Sequence, residues 1–370
     1  MHDHGNMALE RVARPPSCDL GAPDPRRATG RPLRWGVVST GHMARTMSVT
    51  LQQLDDAVIH AVSSRSETSA RAFADAFGTP AAYFDGPDQL GYERLAADPA
   101  VEVVYVATPH AYHHRVTSAL LDAGKHVLVE KAFTVTAPEA EDLIELARER
   151  GCFLMEAVWT RFLPVYHRLL EELDHGAVGR PHWAHADLGM VVPFDPKSRL
   201  WAREAGGGAL LDLGAYALTW TVAALGLPSE VRATGTLAEN GVDALAALAL
   251  RHPSGALAQV LTTLNSCTTG TATIAGSRGV IQTLAPLTHP AGFRIFADRE
   301  EREIRIEPTA PGYAYQLREV SRCVHEGLPE SPTLPLDETL ALMRIFDAAR
   351  NQLGVMYPSD EVAPGPRTPG

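Results

Sequence analysis

The sequence predicts an α/β fold, in which an N-terminal doubly wound parallel sheet is followed by an α+β domain with an open, mostly antiparallel sheet. Three observations support this prediction. Short apolar runs alternate with helical patterns from residue 33 to residue 152, as they do in sheets built from βαβ units. A glycine turn follows the first apolar run. After Trp159 the pattern changes to runs rich in β-branched residues, which hairpin signals separate.

Strands and helices alternate regularly in the first region. The clearest helix is 67–77, because Ala70, Phe73, Ala74 and Phe77 follow helical spacing. The segment 138–150 is also a helix, with a proline in its first turn and Gly151 after its end. The remaining elements are strands at 35–39, 57–63, 101–107 and 127–130, and helices at 43–53 and 112–123.

The second region is predicted to be rich in strands and to end in two helices. Pro253-Ser254-Gly255 and Gly276-Ser277-Arg278-Gly279 are typical of hairpin turns. We expect domains at 32–155 and 156–357, with disordered tails at 1–31 and 358–370, where proline and polar residues are frequent. The elements are a helix at 164–173, strands at 182–188, 231–237, 244–251, 256–264, 271–275, 279–283, 292–297 and 303–306, and helices at 315–326 and 336–353.

Composition excludes several classes of partner. The net charge of −11 argues against broad contact with nucleic acid or with an anionic membrane surface. No apolar stretch has the length of a membrane helix, and the N-terminus lacks the apolar core of a secretory signal. The four cysteines are far apart and form no CxxC pair, which favours reduced thiols in the cytoplasm over disulfides or a metal site.

The glycine turn after the first strand predicts a nucleotide site. Its sequence, Ser39-Thr40-Gly41-His42-Met43-Ala44, is a degenerate GxGxxG in which Ser39 and Ala44 replace two glycines. Because the turn opens a helix, free N–H groups and the helix dipole would face a pyrophosphate. The alternative is an ordinary strand–helix connection that needs Gly41 for a positive φ angle.

The end of the second strand favours NADP over NAD. NAD sites usually place an acidic residue there to bind the ribose 2′-hydroxyl, and this sequence has none. Instead, Ser64 can donate a hydrogen bond and Arg65 can pair with a 2′-phosphate. The alternative is that Arg65 is a solvated surface charge.

Lys131 is the strongest catalytic candidate. It ends an apolar strand together with Glu130, and buried charges are rare unless they are paired or functional. At the carboxyl end of a parallel strand, a lysine lies on the ligand side of the sheet and can exchange a proton with an alcohol or carbonyl. The alternative is a surface lysine just past its strand.

A second catalytic element follows three glycines at 206–208. Asp212 and Tyr216 are four residues apart on a predicted apolar helix, so both project from one face. Tyr216 could relay a proton while Asp212 orients it or stabilises Lys131. The alternative reading, a helix cap plus a core tyrosine, stays open.

Further residues are predicted to line the cofactor pocket. The loop after the third strand and the domain junction both lie where ligands often bind. His113 and the adjacent His114 point in different directions and lack a carboxylate partner, so no metal site is expected. The predicted lining residues are Thr108, Pro109, His110, His113, Glu130, Lys131, Trp159 and Arg161.

Taken together, these motifs resemble the Gfo/Idh/MocA oxidoreductase family, and within it the dimeric dihydrodiol dehydrogenase / D-xylose dehydrogenase branch. The resemblance implies a Rossmann domain, an open sheet through which two copies pair, and an NADP-linked alcohol/carbonyl reaction on a sugar, cyclitol or vicinal diol. Lys131 matches the lysine of the family's Glu-Lys-Pro motif, and Tyr216 replaces a frequent histidine. Ala132 stands where the family usually has proline. Without the proline ring, the backbone after the strand is less rigid. The motifs lie at 34–41, 107–110, 123–131, 155–162 and 207–216.

Two other functions compete with the dehydrogenase. A sensor or regulatory protein could keep the NADP-binding fold without turnover, although Lys131, Asp212 and Tyr216 favour an enzyme. An S-adenosylmethionine methyltransferase shares glycine turns, but it does not account for Lys131 or for the strand-rich second domain.

Overall fold

The computed structural model describes residues 24–361. Within them, six parallel strands form the first sheet in the order β3-β2-β1-β4-β5-β6. The order reverses between β1 and β4, which opens a crevice at the carboxyl ends of these strands. The predicted doubly wound sheet is therefore confirmed. The elements are β1 (Leu33–Val38), α1 (His42–Leu51), β2 (Ala57–Ser64), α2 (Glu67–Phe77), β3 (Ala81–Phe84), α3 (Gly91–Ala96), β4 (Val103–Val106), α4 (His113–Asp122), β5 (His126–Glu130), α5 (Ala137–Arg150) and β6 (Leu154–Ala157).

The second sheet contains eight of the described strands, in the order β14-β13-β12-β11-β7-β10-β9-β8. Its strands pair antiparallel except for β7 with β10, so the predicted, mostly antiparallel sheet is also confirmed. The elements are α6 (Pro164–Asp174), β7 (Pro181–Gly189), α7 (Ala209–Leu225), β8 (Glu230–Leu237), β9 (Asp243–Arg251), β10 (Leu257–Thr263), β11 (Ala272–Gly276), β12 (Gly279–Thr283), β13 (Gly292–Ala297), β14 (Glu300–Arg305), α8 (Gly312–Glu326), α9 (Leu336–Leu353) and α10 (Pro358–Glu361).

The two faces of the second sheet differ. Helix α7 packs against β7, β9 and β10 and is buried along almost its whole length. The opposite face is open and carries exposed apolar side chains, among them Trp183 and Leu257. Alternation of buried and exposed residues along β10 fits a strand that is covered on one side only.

Sequence patterns missed β3, α3 and β6. The first two are short, with four and six residues, and β3 is only half-buried, so neither has a strong apolar period. Strand β6 pairs with β5 and extends the first sheet to Ala157, beyond the predicted domain boundary at residue 155. Helices α8 and α9 return to the first sheet, where α8 contacts α1 and α9 contacts α5 and β6.

The chain around residues 24–31 differs from the predicted disordered tail. Arg318 on α8 donates hydrogen bonds to the carbonyl of Pro25 at 2.8 Å and to the hydroxyl of Thr29 at 2.9 Å. The same guanidinium forms a buried two-point ion pair with Asp56, with both distances at 2.7 Å. At the other end, Asp360 pairs with Arg350 at 2.9 Å. The remaining predicted tail residues, 1–23 and 362–370, lie outside the described residues.

Among residues 24–361, no helix combines the length and the apolar character needed to cross a bilayer.

Replacing Arg318 with methionine should lower the free energy of unfolding by about 3 kcal/mol, because it leaves the buried Asp56 carboxylate unpaired. Burial alone would raise the pKa of Asp56, but its bonds to Arg318 and Thr29 outweigh burial and lower it. The stabilisation is therefore full above the unfolded-state pKa, which is about 4, and is lost as the pH falls through the lower folded-state value. Urea titrations at pH 7 and pH 3 measure both effects.

The matched control is Arg71→Met, which removes an exposed pair with Glu67 and should change stability by less than about 0.5 kcal/mol. Equal urea midpoints for the two variants at pH 7 would contradict the role of the Arg318–Asp56 pair.

Candidate active site

The turn between β1 and α1 leaves the start of the helix open. Ser39 has φ 110°, the conformation that the first glycine of the motif would favour, and its hydroxyl accepts a hydrogen bond from the Gly41 N–H at 3.1 Å. No side chain caps α1, and its first turn contains no acidic residue. The free N–H groups therefore face the crevice at the sheet edge.

Gly41 does not have the positive φ angle that was the alternative reason for a glycine at this position. Its φ is −72°, and a Cβ placed on it would meet only the Ser39 hydroxyl, at 3.4 Å. Neither backbone strain nor packing within the protein therefore requires glycine at this position. An unhindered glycine at this position is what close approach of a ligand would need, so the predicted pyrophosphate contact stays a prediction. Thr40 and Met43 are half-buried beside the turn, and His42 is exposed.

Ser64 and Arg65 lie next to this turn. Ser63 pairs with Val38 at the ends of β2 and β1, and the Ser63 carbonyl accepts the Ser39 N–H at 2.9 Å. Ser64 is the last residue of β2, and Arg65 follows it with an exposed side chain. In dinucleotide-binding parallel sheets, the adenosine ribose binds beside the end of this second strand.

Lys131, at the edge of the first sheet, forms an ion pair with Asp212, on the helix that packs against the second sheet. The Lys131 Nζ lies 3.2 Å from Asp212 Oδ1 and also contacts the Asp212 backbone carbonyl. The side chain of Lys131 is 11% exposed and that of Asp212 is 7% exposed, so the pair is largely shielded from water. The predicted meeting of these residues is thus present in the structure, and it joins the end of β5 to the first turns of α7.

Tyr216 completes the group that the sequence singled out. The Lys131 Nζ lies 5.1 Å from the centroid of its ring, and the Trp159 indole N–H donates to its hydroxyl at 3.3 Å. Burial raises the pKa of the Tyr216 phenol well above its usual value, and the charges of Glu130 and Asp212 act in the same direction. Tyr216 is therefore a protonated phenol at neutral pH.

Arg199 adds a second cation to Asp212, and the sequence did not indicate it. Its Nη1 donates to Asp212 Oδ1 at 2.9 Å, so this one oxygen faces both Lys131 and Arg199. Burial opposes ionisation of Asp212, but the two cations prevail and hold its pKa below the usual range. Asp212 therefore stays a carboxylate at neutral pH. The Arg199 side chain is 60% exposed and belongs to the rim of the site.

Glu130 supports the strand end from inside. Its Oε1 accepts a hydrogen bond from the Tyr105 hydroxyl at 2.5 Å, and its Oε2 accepts the Lys131 N–H at 3.3 Å. Burial raises the pKa of Glu130, although the bond from Tyr105 and the charge of Lys131 oppose the rise. Its side chain is thus committed to Tyr105 and to the backbone of Lys131.

Two histidines lie against the backbone of the residues after β5. His110 Nε2 lies 3.1 Å from the Lys131 carbonyl, and His113 Nδ1 lies 2.9 Å from the Ala132 carbonyl. His113 is fully buried, and its Nε2 lies 2.8 Å from the carbonyl of Thr108. Ala132 is also fully buried, so the strand end is held more firmly than the loss of proline suggested. The His113 ring faces the backbone rather than the crevice, which corrects its prediction as a cofactor contact.

Thr108 and Pro109 follow β4 at the edge of the crevice, half-buried and exposed respectively. Their contact with a cofactor stays a prediction.

The domain junction supplies an aromatic wall. Trp159 stacks on Tyr313 of α8 with ring centroids 4.3 Å apart, and it lies 5.3 Å from the ring of His289. Arg161, which was predicted at the pocket, is instead 1% exposed and bound to Glu338, with Nη1 at 2.7 Å from Oε1. Its guanidinium faces the interior because its partner lies on the helix α9 that packs there.

Sequence reasoning missed Arg199, Tyr313 and Tyr105. Tyr313 comes from a helix that follows the whole second sheet, so no local motif connects it with Trp159. Arg199 precedes the three glycines but belongs to no recognisable motif. Tyr105 lies in the apolar run of β4 and does not stand out from its neighbours. In residues 24–361, no group of three or more metal-ligating side chains comes together.

Two family models match the chain. Residues 33–158 match the Gfo/Idh/MocA oxidoreductase family with an NAD-binding Rossmann fold, and residues 166–282 match the C-terminal domain of the same family. The chain belongs to the Gfo/Idh/MocA oxidoreductase family. The resemblance that the motifs carried is thereby confirmed.

Similar members of the Gfo/Idh/MocA family include mammalian enzymes. The chain is 35% identical over 343 residues to trans-1,2-dihydrobenzene-1,2-diol dehydrogenase of Mus musculus, covering 89% of this chain and 99% of the relative. A solved 3-ketoreductase from Actinomadura kijaniata, in complex with NADP and TDP-benzene, is 26% identical with a TM-score of 0.77, covering 87% and 98% of the two chains. An aldose-aldose oxidoreductase from Caulobacter crescentus shares the fold at 23% identity, with a TM-score of 0.77 and coverage of 88% and 98%.

Proposed function

We propose that this member of the family is an NADP-dependent dehydrogenase/reductase that transfers a hydride between the nicotinamide and an alcohol or carbonyl carbon of a sugar, cyclitol or vicinal diol. One observation carries the proposal: Lys131, Asp212 and Tyr216 converge beside the crevice where the open α1 turn ends. The similarity to dihydrodiol dehydrogenases and to an NADP-bound 3-ketoreductase supports it.

The cofactor would be held along the carboxyl edge of the first sheet. The α1 turn, Ser39 to Met43, would bind the pyrophosphate through N–H groups and the helix dipole. Ser64 and Arg65 would bind a 2′-phosphate, because a hydroxyl and an exposed guanidinium match its acceptors and its charge. The same pair offers no carboxylate for the 2′-hydroxyl of NAD, which is why NADP is the preferred cofactor.

When bound, the nicotinamide accepts or supplies the hydride, and the protein must move the proton. In the reducing direction, Tyr216 donates its phenolic proton to the carbonyl oxygen. A positive charge on Lys131, 5.1 Å from the ring, stabilises the phenolate that Tyr216 becomes. Asp212 remains ionised and fixes the Lys131 ammonium through its carboxylate and its backbone carbonyl. In the oxidising direction the step runs in reverse: the phenolate form of Tyr216, stabilised by the charge on Lys131, takes up the proton of the alcohol and becomes the phenol again.

The substrate class follows from the lining of the site. Trp159, Tyr313 and His289 form an aromatic wall, which suits the apolar faces of a sugar or a cyclic diol. The charged trio of Lys131, Asp212 and Arg199 offers donors and acceptors for neighbouring hydroxyls.

Arg65→Ala should weaken NADPH binding by about 2 kcal/mol, the scale of one charged hydrogen-bonded contact. NADH binding should stay unchanged, because NADH has no 2′-phosphate. Titrations of protein fluorescence with each nucleotide measure both affinities. Arg71→Ala, which removes another exposed arginine from the start of α2, is the control. Unchanged NADPH affinity in Arg65→Ala would exclude the phosphate contact.

Tyr216→Phe, which removes the acid–base group, and Lys131→Met, which removes the charge that stabilises it, should each lower kcat by about 100-fold or more. NADPH affinity should remain close to that of the wild type, since neither change removes a phosphate contact. Lys197→Met, in the exposed loop near Arg199, serves as the control and should keep full activity.

Steady-state rates are measured in a screen of aldoses, inositols, keto-sugars and aromatic dihydrodiols. Full activity of Lys131→Met would remove Lys131 from proton transfer. A wild-type protein that binds NADPH but turns over none of these compounds would favour the sensor function.

We also propose that two copies pair through the open face of the second sheet, as the family resemblance implies. This face holds a shallow groove of about 430 Å³, lined by residues that include His185, Arg232 and Ala247. Exposed Trp183 and Leu257 lie on the same strands, and large exposed apolar side chains grouped on one sheet face favour burial by a partner. We further propose a cytoplasmic location, which the three free cysteines among residues 24–361 support.

Leu257→Glu should convert the dimer into monomers, because it places a charge within the proposed apolar interface. Analytical ultracentrifugation gives the mass of each species at several concentrations. Val49→Glu, at an exposed apolar position on α1, should leave the mass unchanged. A wild-type protein that sediments as a monomer, or a Leu257→Glu variant that still forms the dimer, would contradict this interface.

A further inference from the structure

The side chain of His110 lies between the two halves of the active site. It is 7% exposed, its Nδ1 lies 2.8 Å from the Gly206 carbonyl, and its Nε2 lies 3.1 Å from the Lys131 carbonyl. Gly206 belongs to the glycine loop, residues 206–208, that leads into α7 and hence to Asp212. His110 thus contacts the backbone on both sides of the Lys131–Asp212 pair.

We propose that His110 is a positioning residue that docks the glycine loop of α7 onto the carboxyl edge of the first sheet, so that Asp212 meets Lys131. Its Nδ1–H donates to the Gly206 carbonyl, which is the shorter of the two contacts. The inference rests on the proposed function in so far as Lys131 and Asp212 are the reacting pair. It differs from the predicted role of His110 as a cofactor contact, because both ring nitrogens are already directed at backbone oxygens.

The loop is shaped to accept this ring. Gly206 has φ 75°, and a Cβ placed on it would lie 2.9 Å from the Cβ of His110, so only glycine allows the close approach. The Tyr357 hydroxyl donates to the next carbonyl, that of Gly207, and the buried Asp243 carboxylate accepts the Leu210 N–H at 2.7 Å. These contacts fix the start of α7 within the second region. The contact between His110 and the Gly206 carbonyl connects the start of α7 to the first sheet.

The chemistry of the ring selects one bond. A neutral imidazole has a single N–H, so it can donate to one of the two carbonyls that it faces. Burial lowers the pKa of His110 to about 4, and the neighbouring His113 and Lys131 act in the same direction against the opposing charge of Asp212. The ring is therefore neutral at neutral pH. Donation from Nδ1 holds α7, whereas donation from Nε2 would hold only the strand end.

Two amide variants separate these bonds. The amide nitrogen of asparagine takes nearly the position of Nδ1, and that of glutamine takes nearly the position of Nε2. His110→Asn should therefore keep the bond to Gly206, and His110→Gln should lose it. His110→Ala loses both bonds. His126→Asn is the matched control, because His126 starts β5 at the opposite edge of the sheet and its Nδ1 accepts the Phe153 N–H at 2.9 Å.

The experiment measures hydrogen exchange of residues 206–216 by mass spectrometry, NADPH affinity, and kcat and KM for each full-length variant. His110→Ala and His110→Gln should show faster exchange in this segment and a kcat lowered by about 30-fold, since a small misplacement of reacting groups costs one to two orders of magnitude. NADPH affinity should change by less than about threefold, a small fraction of one charged contact. His110→Asn should recover most of kcat, and His126→Asn should leave the exchange of 206–216 unchanged.

Three results would overturn the proposal. Exchange of 206–216 that is unaffected in His110→Ala would show that the ring does not dock the loop. Rescue by glutamine instead of asparagine would assign the working bond to Lys131. A weakened NADPH affinity with unchanged kcat would make His110 a cofactor contact. If the wild-type protein has no turnover, the proposed function fails, but hydrogen exchange still tests the docking of the loop.

Discussion

The contact between Lys131 and Asp212 is the interaction on which the rest of the site depends. Lys131 directly follows β5 of the first sheet, and Asp212 lies in the first turn of α7, the helix that covers the second sheet. Both side chains are almost fully buried, so either charge alone would be costly. The two charges can pair only where the two sheets are held together. Several other contacts of the fold hold them.

The supports approach from different parts of the chain. Glu130 accepts the backbone N–H of Lys131, His110 contacts the glycine loop before α7, and Arg199 donates to the Asp212 oxygen from the rim. Farther away, α8 and α9 return from the end of the chain to the first sheet, and α8 brings Tyr313 against Trp159. A buried ion pair is weak support for stability on its own, and in the proposed mechanism this pair also places the Lys131 charge beside Tyr216.

Local patterns predicted much of this arrangement. The bounds of α2 and α9 agree with their predicted ranges because apolar spacing and flanking glycines are local properties. Asp212 and Tyr216 were expected on one face because helical periodicity alone places residues four apart together. By contrast, β3 and α3 were missed because short, half-buried elements carry little periodicity. The alternative explanation for Gly41, a positive φ angle, was wrong, since its φ is negative and Ser39 has the positive angle.

The sequence by itself determined the two-sheet fold, the glycine turn before α1, and Lys131, Asp212 and Tyr216 as candidate site residues. These features depend on periodicity, turn chemistry and the rule that parallel strands bind ligands at their carboxyl ends. The tertiary structure alone decided which polar groups face each other. In it, Arg161 forms an internal pair with Glu338, and the His113 ring faces the backbone. Arg199 and Tyr313 lie at the site. Such pairings join residues far apart in the chain, and burial and charge neutralisation select them only after the sheets and helices have packed.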